Sequence, residues 1–174
     1  IIVDSFTFEG ASPAGLAWDG ETLWVSDSCN QSIFQSTPEG QVLTTLPSPC
    51  GDPLDIAWDG ENLWVLDAWG NDQKGNVLYK IDSGGNVLRS LNVPSDISTG
   101  LTWDGLYLWG ADGTNNRIVK LDPETGDVLA SFPSPGPDPR GLAWDGQYLW
   151  NADWSSQEIY QLDVNGNVIN TFPS

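Results

Sequence analysis

Histidine and methionine are both missing from this 174-residue chain, and lysine and arginine together number six against 24 aspartates and glutamates. The resulting formal charge of −18 excludes nucleic acid and anionic membrane surfaces as partners, because both require a cationic surface to neutralise them. Without histidine there is no imidazole for acid–base work near neutrality and no zinc site of Cys/His type. A G-x-S-x-G elbow and a glycine-rich phosphate loop are absent as well. No apolar run reaches 18 residues, so no segment is expected to insert in a bilayer as a helix. The chain opens on Ile1-Ile2-Val3 instead of methionine. A removed secretory signal accounts for that, as does a boundary of other origin, and an extracellular location is expected.

What the chain has is repetition. GLAWDGETLWVSD at 15–27 is followed by DIAWDGENLWVLD at 55–67, GLTWDGLYLWGAD at 100–112 and GLAWDGQYLWNAD at 141–153. A period in the low forties, filled with short alternating runs, marks propeller blades. In the third repeat the strands read Gly100-Leu101-Thr102-Trp103, Tyr107 to Ala111, Arg117 to Leu121 and Asp127 to Phe132, with turns at Asp104-Gly105 and Asp122 to Gly126. The predicted fold is all-β, a four-bladed β-propeller of four-stranded antiparallel blades. It forms one domain over 1–174, with blades at about 11–48, 49–93, 94–134 and 135–174 and an additional outer strand within 1–10.

Eight tryptophans recur with the motif: Trp18, Trp24, Trp58, Trp64, Trp103, Trp109, Trp144 and Trp150. Wide rings suit the wedge between twisted blades, and burying one removes about 150–250 Å² from water, so these eight are expected to be core. Trp69 and Trp154 fall past the second strand, outside the pattern. With Tyr107 and Tyr148 they are the candidates for a ligand or interface surface, such as a glycan or small-molecule site.

The motif string, read in all four repeats, resembles secreted bacterial and archaeal propeller repeats of the NHL and YVTN type, and looks like the propellers of glutaminyl cyclases and streptogramin lyases. The resemblance implies the fold over nearly the whole chain. It does not carry an activity, because propellers host many unrelated ones.

Cys29 and Cys50 are the only cysteines, and both are placed on the same face of adjacent blades. A disulfide between them is expected, contributing roughly 3 kcal/mol in the chain-entropy model. Asp67, Asp72, Asp112 and Asp153 lie on the long-loop face and could hold calcium, although no cofactor is required; their plainer use is as turn residues that accept backbone N–H bonds.

Ile2, Val3, Phe6 and Phe8 align, on a shift of 40, with the fourth strand of the first repeat, yet the last repeat has its own fourth strand at 168–172. Five outer strands for four blades leave one for exchange, within the molecule or with a neighbour. Together with the missing catalytic residue types, this leads to the expectation of a non-enzymatic, self-associating extracellular structural protein. A binding propeller is the alternative, and a lyase or cyclase the more remote one.

Overall fold

A computed structural model describes residue 10 and residues 12–67, 76–94, 97 and 99–174. The chain forms sixteen strands in four antiparallel sheets, and no helix occurs among the described residues. Blade 1 comprises β1 (Pro13–Trp18), β2 (Leu23–Asp27), β3 (Ser32–Ser36) and β4 (Val42–Pro47). Blade 2 comprises β5 (Pro53–Trp58), β6 (Leu63–Asp67), β7 (Asn76–Ile81) and β8 (Val87–Val93). Blade 3 follows with β9 (Gly100–Trp103), β10 (Leu108–Asp112), β11 (Arg117–Leu121) and β12 (Val128–Pro133). Blade 4 has β13 (Pro139–Trp144), β14 (Leu149–Asp153), β15 (Glu158–Leu162) and β16 (Val168–Pro173). Strand order within each sheet is the chain order, so the architecture is the expected four-bladed β-propeller, with the first strand of each blade innermost.

The Trp-Asp-Gly motif owes its recurrence to one turn. Glycine at 20, 60, 105 and 146 takes φ near +100°, which residues with a side chain rarely adopt. The preceding aspartate then clamps the hairpin. One oxygen of Asp104 accepts the N–H groups of Leu106 and Tyr107 at 2.9 and 2.7 Å, and the other accepts the Trp109 indole N–H at 2.8 Å. Asp19, Asp59 and Asp145 hold Trp24, Trp64 and Trp150 in the same way, at 2.8, 3.0 and 2.7 Å. The indole is thereby both wedge and tether: its ring fills the space between blades while its only polar atom is satisfied.

Three packed cores join the four blades. The first places Trp24 and Ile33 of blade 1 against Leu63 and Val65 of blade 2, with Trp24 stacked on Trp58 at 6.5 Å and 7°. The second joins Trp64, Leu66 and Leu78 to Leu108 and Val119, and the third joins Trp109 and Ile118 to Leu149 and Tyr160. Between blade 4 and blade 1 the described residues form no such core, and β13 does not pack on β1 as the other neighbouring inner strands pack on each other. The consequence is visible at Trp18 and Leu16, which are 51% and 62% exposed. The expectation of eight core tryptophans is corrected accordingly. Trp24, Trp64 and Trp109 are fully buried; Trp58, Trp103, Trp144 and Trp150 are half-buried; and Trp18 is exposed, because no described blade covers it.

Ile2, Val3, Phe6 and Phe8, assigned to strand exchange, lie outside the described residues.

Candidate functional site

The four inner strands converge on an axial hollow of about 330 Å³. Trp18, Trp58, Trp103 and Trp144, one from each blade, line it beside Ile56 and Leu101. The motif tryptophans thus serve two purposes, packing between blades and walling the axis.

One buried titratable group lies behind the lining of this hollow, bonded to the backbone of Leu16, Ile56 and Leu101, which line it. Three of the four inner strands carry glycine two residues before the motif alanine or threonine, at Gly15, Gly100 and Gly141, whereas blade 2 has Asp55. Asp55 Oδ2 accepts the N–H of Leu101 at 2.7 Å, and Oδ1 accepts the N–H of Ile56 at 2.9 Å. The backbone of Leu16 on the other side also donates to it. The carboxyl therefore reaches the inner strands of blades 1, 2 and 3. It sits at the protein's centre, where desolvation penalises its charge, while the residue as a whole retains partial access to solvent. Burial outweighs the three backbone hydrogen bonds and raises its pKa to about 7. A carboxyl with that pKa is present as both acid and base at neutral pH. Residue type alone does not set Asp55 apart in the sequence; the break in the glycine series is the signal that marks it.

The described aspartates among the candidate metal ligands, Asp67, Asp112 and Asp153, stand in three different blades. Asp153 accepts the N–H groups of Ser156 and Asp138 at 2.8 and 2.7 Å. Asp112 accepts the Asn115 N–H at 2.9 Å and pairs with Arg117 at 2.5 Å. Burial works to raise both carboxyls, and these hydrogen bonds more than offset it, leaving both below the usual carboxylate range. Asp67 is buried at the end of β6, and Asp72 lies outside the described residues. Among the described residues no three His, Cys, Asp or Glu side chains converge as a metal site would require.

The aromatic candidates are likewise kept apart. Trp154, 75% exposed, stands past the end of β14 beside a hollow of about 360 Å³ with Arg140, Gln157 and Glu158. Tyr148 stands just before the start of the same strand, roughly 17–20 Å away for a strand of this length. There its hydroxyl accepts from Gln147 Nε2 at 3.0 Å. Tyr107 occupies the equivalent turn of blade 3, with Lys120 Nζ 3.8 Å from its ring centre. The tyrosines and Trp154 therefore belong to opposite faces and form no common stacking surface, and Trp69 lies outside the described residues.

The expected disulfide is absent. Cys29 is an exposed free thiol in the β2–β3 turn. Cys50 is also free, but it turns inward, packing against the first inter-blade core with its sulfur 3.3 Å from Ser48 Oγ. Sharing a face does not make the two side chains point at each other.

No family model and no curated protein matches the chain. Solved structures do. Virginiamycin B lyase from Staphylococcus aureus, crystallised with quinupristin as an inactive histidine-to-alanine variant, matches with a TM-score of 0.63 and 21% identity. That match covers 99% of this chain and 59% of the lyase, so the chain spans about three-fifths of that enzyme's length. Myxococcus xanthus glutaminyl cyclase matches with a TM-score of 0.77 and 17% identity, over 94% of this chain and 71% of the cyclase. Kuenenia stuttgartiensis hydrazine synthase matches at 0.64 and 20%, over 98% of this chain and 51% of the synthase. At these identities the likeness is one of propeller fold. The expectation of a non-enzymatic structural assembly protein is corrected against these matches, since the three structures just described are named as enzymes.

Proposed function

We propose that this chain works as a propeller enzyme, or as the working arc of one, on a substrate held at the axial hollow, with Asp55 as its acid–base group. The observation that carries this reading is the single carboxyl at the hub, set among glycines at the equivalent positions and poised near neutral pH by its burial. Lyase and cyclase chemistry, named for two of the similar propellers, both require one group that removes a proton and returns it. In its carboxylate form Asp55 takes a proton from the substrate. In the acid form so produced it hands that proton to the departing group, and the enzyme ends unchanged. The inactive lyase variant lacks a histidine, and this chain has none to offer, so the proton carrier here is a carboxyl. The tryptophans around the hollow supply an apolar wall against which a substrate packs.

The finer resemblance, to secreted NHL and YVTN-type repeats, belongs to the same proposal and rests on the four motif copies.

Two probes test the reading: a streptogramin B such as quinupristin, and a peptide with N-terminal glutamine. Turnover of either, with kcat/KM in Asp55→Asn lowered about a hundredfold or more and the pH dependence near 7 abolished, is the expected result. An unchanged rate and profile in the variant contradicts the role of Asp55. Turnover of neither probe contradicts the lyase-or-cyclase reading.

A further inference from the structure

Each internal interface of the propeller has a socket and a plug. The socket of blade 3 is the face carrying Trp109, Ala111, Ile118 and Phe132, which blade 4 covers so well that Trp109 is 1% exposed. Blade 4 presents the same face with Trp150, Ala152, Ile159 and Phe172 at the matching ladder positions. Trp150 stacks on Phe172 at 5.6 Å, but Phe172 is 40% exposed and Ala152 is exposed, because no described blade follows. The hollow beside Trp154 opens beside this face, lined by Ala152.

The plug of blade 4 is led by Leu142 and Trp144, which pack on blade 3. The corresponding Leu16 and Trp18 of blade 1 are the exposed pair already described. Among the described residues, one uncovered socket and one uncovered plug therefore stand at the two ends of the arc.

The inner-strand glycines sharpen the match. A methyl group at Gly15 would strike the backbone of Asp55, and one at Gly100 would strike the carbonyl of Arg140, so both are glycines because the next inner strand lies against them. Gly141 occupies the third such position, yet a methyl there would meet only the Ala152 side chain at an ordinary 3.8 Å. Nor is its φ in the left-handed region. At Gly15 and Gly100 the glycine answers to a neighbouring inner strand, and at the equivalent Asp55 the side chain bridges to β9 instead; at Gly141 no described strand fills that place.

We propose that a second copy of this chain supplies it: blade 1 of one copy seats on blade 4 of the other, and the same contact made twice closes a two-chain ring of eight blades. The contact is face to face, a repeat of the three interfaces inside the chain, and it involves no strand edge. Two equivalent contacts related by a twofold axis close the assembly, so it stops at two copies. Eight blades lie within the usual range for propellers. A charge of −18 per copy opposes the union, so salt, by screening it, favours the ring. Closure leaves Asp55 untouched within its own copy, and the assembly is judged by size alone, independently of any activity.

Sedimentation equilibrium in high salt tests the proposal on the wild-type chain and three variants. The wild type is expected at twice the protomer mass. Leu16→Asp, which spoils the plug and leaves the socket intact, and Ile159→Asp, which spoils the socket and leaves the plug intact, are each expected as protomers. An equimolar mixture of the two regains a dimer, because one intact plug meets one intact socket. Gly141→Ala is expected to retain its Tm and lose at least tenfold in association constant. A wild type that stays at protomer mass at its highest soluble concentration overturns the proposal. So does a mixture that fails to associate while both variants remain folded, or a Gly141→Ala chain that dimerises as the wild type does.

Discussion

Asp55 Oδ2 accepts the backbone N–H of Leu101 at 2.7 Å, joining the inner strand of one blade to that of the next through a carboxyl that burial keeps half-protonated near neutrality. The hub is therefore a pH-dependent joint. With a folded pKa of about 7 against 3.8 when unfolded, Asp55 binds more protons in the native state than in the unfolded one between those values. Its effect on stability is accordingly most favourable at low pH and declines as pH rises from about 4 through 7, levelling off above. Urea titrations at pH 5 and pH 8 should show Asp55→Asn losing less stability over that interval than the wild type.

Asp19 has the opposite sign. Burial works to raise its pKa, but hydrogen bonds from Thr22, Glu21 and Trp24 outweigh it and hold the carboxyl at about 2. Its stabilising effect is full above pH 3.8 and is lost as pH falls towards 2. Asp19→Asn should flatten the acid limb of the stability curve and leave the limb between pH 5 and 8 unchanged.

The aspartate clamp makes a graded prediction across blades. Asp104→Ala removes the acceptor from two backbone N–H groups and from the indole of Trp109, which is sealed in the third interface. A loss of about 3 kcal/mol is expected from stranding a buried donor and its neighbours. Asp145→Ala breaks the same set of bonds in an exposed turn, where water replaces the lost acceptor, so its loss should be clearly the smaller. Equal losses at the two sites, measured by urea unfolding, would show that burial of the indole does not set the cost.

The thiols give a check on the cysteines. Two equivalents should react with a thiol reagent in the unfolded chain. In the native chain Cys29 should react quickly and Cys50 slowly, since burial raises the Cys50 thiol to about 11. Reducing agent should leave the Tm unchanged.

The four-fold motif made the blades legible in the sequence, because strand alternation and the Asp-Gly turns are local and repeat in register. The aspartate clamp was half-legible: its place in a turn follows from residue type, but the bond to an indole five residues on depends on how β2, β6, β10 and β14 leave their turns. Side-chain direction was not legible. Cys29 and Cys50 lie on one face yet point apart, one outward and one into the core. Tyr148 and Trp154 are close in sequence but separated by the length of β14. By residue type Asp55 is one of 24 acids of equal standing. The break in the glycine series marks its position, and the packing of β1, β5 and β9 adds that the carboxyl there is buried.

The most direct test follows the carboxyl carbon of Asp55 by ¹³C NMR as pH is varied, with Asp55→Asn identifying the resonance. A midpoint near pH 7 is the predicted result, because the hub then holds a group able to take and return a proton under neutral conditions. A midpoint near 4, the ordinary value for an exposed aspartate, would contradict the account.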